Sequence, residues 1–208
     1  MQPNIQAWDK IYRKDGRVFD EPFPRFGELV GVFKESGCSH ILDLGCGSGR
    51  HVVHLVKEGF RACGLDVSFT GLRLAQGWLL EEGLTAGAIL ADMRFPLPFR
   101  GGAFDGLLST QVIHHARIAE IRRTIGEIWR VLAGGGVAFV SVAARQDDDT
   151  DFEEIEPGTF VPTTGTEAGL PHHIFTEDEL RLEFRDFEIL DVSLRAEGKV
   201  LALLAQKS

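Results

Sequence analysis

The chain has 208 residues, of which 44% are hydrophobic and 25% charged, and its formal net charge is −9 at pH 7. This length suits one folded domain, and the negative charge disfavours nucleic acid as a partner unless a local basic patch compensates for it. No run approaches the roughly 20 apolar residues of a membrane span, and the first residues lack the apolar core of a signal peptide, so we expect a soluble, cytoplasmic protein.

The N-terminal segment, residues 1–36, is predicted to contain a helix. Trp8, Ile11 and Tyr12 are spaced i, i+3 and i+4, so they share one face of that helix. This apolar face either folds over a ligand as a lid or packs on the rest of the protein.

The three cysteines come next along the chain and also favour the cytoplasm. Cys38, Cys46 and Cys63 are odd in number and lack CxxC spacing. They predict reduced thiols and indicate neither a disulfide framework nor a zinc site.

Short apolar runs alternate with helical patterns from residue 39 to residue 142, which is typical of a parallel sheet with helices on both faces. The predicted strands are residues 39–44, 62–65, 87–91, 104–109 and 136–142. The helices predicted between them are residues 50–58, 69–82 and 118–132. Apolar residues recur at helical spacing in the last of these, so it should bury one face.

The tract after the fifth strand, residues 145–172, is predicted to be irregular because it is rich in acids, Gly, Thr and Pro. Seven acids lie between residues 147 and 156: Asp147, Asp148, Asp149, Asp151, Glu153, Glu154 and Glu156. Their spacing is not that of a calcium loop, so we expect a solvated surface loop and no bound metal. A short helix, residues 177–184 with Thr176 as N-cap, and two β-like runs, residues 187–194 and 199–205, close the chain.

A glycine-rich turn follows the first predicted strand in the segment Asp43-Leu44-Gly45-Cys46-Gly47-Ser48-Gly49-Arg50. Glycines at such a turn let the backbone approach a ligand closely. Arg50 stands where the dinucleotide fingerprint GxGxxG has its last glycine, which favours a ligand without a pyrophosphate over NAD or FAD.

Two further acids end the second and third strands. Asp66 lies about 20 residues past the glycine turn, where an acid can accept hydrogen bonds from both ribose hydroxyls; the alternative is a helix cap. Asp92 would face the same edge of the sheet, where its side chain suits an adenine amino group and the Met93 N–H a ring nitrogen. The alternative for Asp92 is a solvated turn residue.

Together with residues 104–109, these segments resemble the successive motifs of the class I S-adenosylmethionine-dependent methyltransferases, in particular methyltransferase types 11 and 25. The resemblance covers about half the chain and includes the turn at residues 132–136, where Ala133 and Gly134 replace residues of the family's L-x-P-G-G, including its proline. It implies a Rossmann-like, doubly wound, seven-stranded and mostly parallel sheet with an antiparallel last strand. Residues 1–208 would then form one domain, divided into a helical lid (1–36), a cofactor-binding core (37–142), a substrate-side insertion (145–172) and a C-terminal helix and strand pair (176–208).

The resemblance also implies a cofactor, S-adenosylmethionine, with S-adenosylhomocysteine as product. The glycine turn would underlie the methionine moiety with Asp43 near its ammonium group, while Leu65, Val67 and Phe95 would sandwich the adenine or simply pack in the core. The implied cofactor-binding residues are Asp43, Gly45, Cys46, Gly47, Gly49, Asp66, Val67, Asp92, Met93 and Ser109.

Methyl transfer depends mainly on positioning, and it needs a general base only when the acceptor must lose a proton. The tandem histidines 114–115 and 172–173 flank the expected site, and His115 and His173 are the candidate bases; the alternative is that they cap or pack.

The sequence therefore predicts methyl transfer to an N, O or S nucleophile of a small molecule. One alternative is a tRNA methyltransferase of the wobble-uridine type, which residues 109–132 resemble, although Arg117, Arg122, Arg123 and Arg130 are the nearest approach to a basic cluster. A third possibility is a non-catalytic S-adenosylmethionine-binding protein. The acidic tract is expected to form a flap over the acceptor.

Overall fold

The computed structural model describes residues 3–17, 20–145 and 151–208. Within these ranges the α-helices are α1 (Pro3–Asp15), α2 (Phe26–Glu35), α3 (Arg50–Lys57), α4 (Phe69–Glu81), α5 (Ile118–Val131) and α6 (Glu177–Glu183). The strands are β1 (His40–Leu44), β2 (Arg61–Asp66), β3 (Gly87–Leu90), β4 (Phe104–Thr110), β5 (Leu132–Ala143), β6 (Phe152–Glu156), β7 (Thr159–Pro162), β8 (His172–His173), β9 (Glu188–Arg195) and β10 (Val200–Gln206). No helix in these ranges combines the length and the apolar character needed to cross a bilayer.

Seven strands form one sheet in the order β3-β2-β1-β4-β5-β10-β9. The pairs among β1 to β5 are parallel, and β10 runs antiparallel to both of its neighbours. This confirms the predicted seven-stranded, mostly parallel sheet with an antiparallel last strand. The strand order reverses between β1 and β4, and in such sheets the ligand crevice lies outside the carboxyl ends of the strands at this point.

Helices cover both faces because successive residues of a buried strand point to opposite sides. Ile41 in β1 packs in one apolar cluster with Phe33 of α2 and Val53 of α3. Leu42, the next residue, packs in a second cluster with Ile121 of α5. The parallel strands are thus buried on both faces, as the near-continuous apolar runs of the sequence indicate.

The tract after β5 differs from the prediction. Instead of an irregular loop, β6, β7 and β8 form a small antiparallel sheet in the order β6-β7-β8. Gly158, with φ 75°, lies in the turn between β6 and β7, and its N–H donates to Glu154 Oε1 at 3.1 Å. The acidic composition of the tract therefore did not predict the β6–β7 hairpin, whose turn contains Gly158.

One acid of this tract, Glu156, is less solvated than predicted, whereas Asp151, Glu153 and Glu154 are exposed. Glu156 accepts hydrogen bonds from the backbone N–H of Ile118 at 2.8 Å and from Thr159 Oγ1 at 3.1 Å, and it pairs with Arg117 at 3.2 Å. This side chain therefore ties β6 to the start of α5. Asp147, Asp148 and Asp149 lie outside the described residues.

Two smaller differences from the prediction concern the packing of α2 and the start of β5. Helix α2 lies within the segment expected to form a lid, but it packs against the sheet through Leu29, Val30 and Phe33. Strand β5 begins at Leu132, earlier than predicted, so it includes the Gly-rich segment. The pairing of β5 with β4 shifts register between Phe104 and Gly106.

Candidate functional site

A cavity of about 730 Å³ opens at the carboxyl ends of the parallel strands. Its wall includes Gly45–Ser48 after β1, Asp66 and Val67 at the end of β2, Ala91–Arg94 after β3, and Thr110–Val112 at the end of β4. The volume falls in the range of about 300–1,000 Å³ that is usual for small-molecule sites. The segments that follow β1, β2, β3 and β4 thus line one pocket, at the point where the strand order reverses between β1 and β4.

The glycine turn is held in place by backbone hydrogen bonds to β2. Gly45 N and Cys46 N both donate to Leu65 O, at 2.7 and 3.0 Å, and Gly47 N donates to Asp66 Oδ2 at 2.8 Å. Gly49 has φ 89°, and a Cβ added there would lie 2.6 Å from the Ala75 Cβ of α4. Gly49 therefore serves the packing of the turn and is absent from the cavity wall, which Gly45, Cys46 and Gly47 do line.

Asp66 joins the glycine turn to the start of α4. Besides the bond from Gly47, its Oδ1 accepts from Ser68 N at 2.7 Å. Burial raises the pKa of this carboxyl, and the backbone N–H donors partly oppose that shift. Asp66 nevertheless lines the cavity, so the predicted ribose-binding carboxylate and the glycine turn share one space. Ser68, and not Asp66, is the N-cap of α4.

Asp43 lies behind the turn and is 1% exposed. Neither of its carboxylate oxygens has a hydrogen-bond partner among the described residues, and His51 Nδ1 is 4.0 Å from Oδ2. Burial raises the pKa of Asp43 to about 8, although the Arg50 charge opposes this. A buried carboxylate without a partner suits a cationic group such as an ammonium.

Asp92 lines the cavity as predicted by its position, but its carboxylate is already engaged by Arg94. Arg94 Nη2 lies 2.6 Å from Oδ2 and its Nε 2.9 Å from Oδ1, and the backbone N–H of Arg94 also donates to Oδ1. These bonds hold the pKa of Asp92 below its usual value against the raising effect of its burial. Met93 and Arg94 line the same stretch of wall.

At the end of β4, the predicted residue Ser109 does not line the cavity. Ser109 is fully buried and donates from Oγ to Leu44 O at 2.9 Å, which leaves it off the wall. Thr110, Gln111 and Val112 line the wall instead. Gln111 has φ 59°, a left-handed conformation that is uncommon for a residue with a side chain and is often found at functional sites.

Helix α1 closes one side of the cavity through Trp8, Ile11 and Tyr12. The Tyr12 hydroxyl lies where a Cβ on Gly47 would stand, so it rests on the glycine turn. Asp9 anchors the helix, because its Oδ1 accepts from Ser68 Oγ at 2.9 Å and from Thr70 N at 2.8 Å. Of the predicted adenine neighbours, Leu65 and Val67 line the cavity, whereas Phe95 is 53% exposed and does not.

The two candidate bases lie in different surroundings. His115 is on the cavity wall, edge-to-face with Trp8 at 5.1 Å between ring centroids, and burial lowers its pKa to about 4. His173 is off the wall, with Nδ1 2.7 Å from Thr159 Oγ1 and Nε2 3.0 Å from Glu179 Oε1. These contacts give His173 a structural position that links β7 to α6.

Sequence reasoning missed the wall residues that arrive from distant parts of the chain. His172 lines the cavity beside His115, and its Nε2 is 3.2 Å from Glu167 Oε2. Arg145 and Lys199 reach the wall from the ends of β5 and β10. No local spacing in the sequence relates these residues to the glycine turn.

Known proteins resemble this chain in sequence. Residues 41–136 match a family described as a methyltransferase domain. The 18S rRNA (guanine(1575)-N(7))-methyltransferase of Saccharomyces cerevisiae is 34% identical over 124 residues, covering 55% of this chain and 44% of that protein. A tRNA (carboxymethyluridine(34)-5-O)-methyltransferase of Xenopus tropicalis is 30% identical over 69% of this chain and 21% of its own length. A ubiquinone biosynthesis O-methyltransferase of a Chelativorans species is 31% identical over 62% and 49%, respectively. The chain thus spans less than half the length of these curated relatives.

Solved structures resemble it over nearly its whole length. The PH0226 protein from Pyrococcus horikoshii superposes with a TM-score of 0.75 at 18% identity, over 96% of this chain and 99% of that one. The 1,6-didemethyltoxoflavin-N1-methyltransferase of Burkholderia thailandensis, solved with 1,6-didemethyltoxoflavin and S-adenosylhomocysteine, gives 0.71 at 19% identity, over 99% and 88%. At these identities the likeness shows the fold, which is the Rossmann-like sheet expected from the sequence.

Proposed function

We propose that this chain, whose residues 41–136 match a methyltransferase domain, is a class I S-adenosylmethionine-dependent methyltransferase that transfers a methyl group to an N, O or S nucleophile of a small molecule. One observation carries the proposal. The glycine turn, Asp66 and the Asp92–Met93 pair, which come from three different strand ends, line a single cavity.

The proposed cofactor, S-adenosylmethionine, supplies a methyl group that its positive sulfonium already activates. Asp66 suits the ribose, since an ionised carboxylate has about four acceptor sites and only two are taken by Gly47 N and Ser68 N. Asp43 suits the ammonium group because it is buried and neither of its carboxylate oxygens has a hydrogen-bond partner among the described residues. Met93 and Val67 suit the adenine ring. Asp92 suits the adenine amino group through a carboxylate lone pair that Arg94 does not use.

His115 is the residue we assign to the acceptor. With a pKa of about 4, its imidazole is neutral at pH 7, so it presents an uncharged ring to the acceptor side of the cavity. A base works best when its pKa is near the operating pH, so His115 is better suited to orienting an acceptor than to removing its proton. Trp8 contacts this ring edge-to-face and lines the same part of the cavity.

The charge distribution supports a small acceptor over tRNA. Three of the four arginines nearest to a basic cluster are engaged by acids: Arg117 with Glu156, Arg122 with Glu183, and Arg130 with Glu127. These pairs reduce the positive charge that this cluster offers to a phosphate backbone, in a chain of net charge −9. Small-molecule precedents are the relative named ubiquinone biosynthesis O-methyltransferase and the neighbour solved with bound 1,6-didemethyltoxoflavin.

The experiment that tests the proposal uses S-adenosylmethionine labelled in its methyl group. The protein is incubated with it in the presence of separated metabolite and tRNA fractions, at low and high salt. Label should appear in a metabolite and vary little with salt. Label in tRNA, with a steep loss at high salt, would favour the tRNA alternative. Cofactor binding without label in any fraction would favour the non-catalytic alternative.

We also propose a cytoplasmic location. Cys38, Cys46 and Cys63 are free and buried, which suits a reducing compartment.

A further inference from the structure

Three histidines meet on the acceptor side of the cavity. His114, His115 and His172 each offer a ring nitrogen, and these three atoms lie within 4.8 Å of one another. The rings of His114 and His115 are 4.1 Å apart between centroids, and His172 is 4.6 Å from His115 and 5.9 Å from His114. All three residues line the cavity.

Backbone pairing brings the distant third histidine to the other two. The N–H of His173 donates to His114 O at 2.8 Å, which attaches β8 to the segment after β4. On the following stretch, Phe175 N donates to Ala143 O at 3.0 Å. The main chain therefore fixes His172 opposite His114 and His115, so the cluster does not depend on flexible side chains alone.

We propose that His114, His115 and His172 bind a divalent transition-metal ion of the Zn²⁺ class at the acceptor end of the cavity. Neutral imidazoles are common ligands for Zn²⁺, Co²⁺, Ni²⁺ and Fe²⁺, whereas Mg²⁺ and Ca²⁺ require oxygen ligands. Zn–N bonds are about 2.0–2.1 Å long, so two ligand atoms on one tetrahedral ion stand about 3.4 Å apart. The ligand atoms lie within 4.8 Å of one another, so binding requires the widest pair to close by about 1.4 Å, which rotation of the imidazole rings can supply.

Two observations beyond the clustering support a metal ligand set. His114 is 3% exposed, and its Nδ1 has no hydrogen-bond partner among the described residues. An unsatisfied buried polar atom costs about 1–3 kcal/mol, which a metal bond would remove. Glu167 lies 3.2 Å from His172 Nε2, close enough to orient the ring, as carboxylates do beside metal-bound histidines.

The sequence predicts no metal site, because the acidic tract lacks the spacing of a calcium loop and the cysteines are scattered. The histidines form a set only after β8 pairs with the segment that follows β4.

The role of the ion rests on the proposed function: it would activate the methyl acceptor. Three protein ligands leave an open position, which is typical of catalytic zinc sites, and here the cavity is the adjoining space. An acceptor hydroxyl or thiol bound there loses its proton more readily, as metal-bound water does. The proton leaves to solvent, the acceptor's electron pair forms the bond to the methyl carbon, and the electrons of the carbon–sulfur bond remain on sulfur.

Metal binding is tested directly with tag-free, metal-free protein titrated with Co²⁺. Visible absorption reports the coordination geometry, and elemental analysis after dialysis against Zn²⁺ reports the stoichiometry. The proposal expects one ion per chain with the strong absorption of a four-coordinate site. His172→Gln should weaken binding at least about 10-fold, and Glu167→Gln about 10- to 100-fold if it supports the ring. His40→Gln, which removes a histidine beside Phe104 at the other end of β1, should bind as the unmodified chain does.

His172 is on the half-buried strand β8, so its variant is checked for folding by circular dichroism, and Glu167→Gln gives an independent test at a more exposed residue. Co²⁺ binding that is no tighter in the unmodified chain than in His172→Gln overturns the proposal. S-adenosylhomocysteine affinity is measured on the same metal-free samples. Loss of that affinity alone refutes the proposed function, and loss of Co²⁺ binding alone refutes the metal site.

Discussion

Asp66 shows how one carboxylate organises the site at the scale of a single residue. It accepts a hydrogen bond from the glycine turn and another from the start of α4, and it still lines the cavity. A residue that is buried yet keeps acceptor capacity toward a pocket is pre-organised for ligand hydroxyls, because its orientation is fixed before the ligand arrives.

Asp66→Ala is expected to weaken S-adenosylmethionine binding by about 1–3 kcal/mol, or roughly 5- to 150-fold in Kd, because charge-assisted hydrogen bonds to the ribose are lost. Isothermal titration calorimetry measures the change. The matched control is Asp105→Ala, which removes a carboxylate that accepts from Ser39 and His40 at the start of β1, far along the strand from the pocket. Equal affinity in the Asp66 variant and the unmodified chain would remove the ribose assignment.

Asp43 gives a second prediction at this scale, which concerns pH. Its pKa is raised from 3.8 to about 8 on folding, so between these values the folded chain holds a proton that the unfolded chain has lost. Unfolding then releases a proton from Asp43, so the contribution of Asp43 to the free energy of unfolding falls as pH rises from about 4 to about 8. Asp66, whose pKa is also raised, contributes with the same sign. His51, His114 and His115, whose pKa values are lowered by burial, contribute with the opposite sign.

Asp43→Asn should therefore remove the Asp43 contribution, a loss of stability on the order of a few kcal/mol between pH 5 and pH 8, because the amide stays neutral throughout. Urea unfolding at both pH values measures this difference. Asp20→Asn, at a carboxylate whose side chain is 67% exposed, serves as the control and should keep the original pH dependence. The same slope in the Asp43 variant as in the control contradicts the account.

At the scale of elements, the small sheet β6–β8 is attached to the rest of the chain by a few polar contacts. His173 is the central one, because it bridges Thr159 in β7 and Glu179 in α6. Glu156 ties β6 to α5 in the same way. The sheet carries Phe152, Pro162 and His172 to the cavity wall, so its attachment decides the shape of the acceptor side.

His173→Leu is expected to lower the free energy of unfolding by about 1–3 kcal/mol, since it leaves the buried Thr159 hydroxyl with one partner fewer. Hydrogen exchange should quicken in β7 and α6, while the affinity for S-adenosylhomocysteine stays unchanged. Arg181→Ala, at an exposed pair with Glu177, is the control and should change neither. Loss of methyl transfer with stability intact would instead restore His173 as a catalytic base.

At the scale of the whole molecule, local sequence patterns were enough to predict the main sheet. The alternation of apolar runs and helical spacing, with acids at the ends of β2 and β3, depends only on neighbours in the sequence, and the structure confirms that sheet. Long-range pairings were not predictable in this way. Hence the sequence did not predict that β8 brings His172 beside His115, or that Tyr12 contacts Gly47. It also did not predict that Arg94 forms an ion pair with the Asp92 carboxylate.

The central claim is that one pocket at the strand ends holds a nucleoside with a charged methionine tail. Calorimetric titration of the unmodified chain with S-adenosylmethionine, with NAD titrated in parallel, tests it most directly. The account predicts saturable binding of one S-adenosylmethionine per chain and no comparable heat from NAD. Absence of S-adenosylmethionine binding, or NAD binding of equal strength, would contradict it.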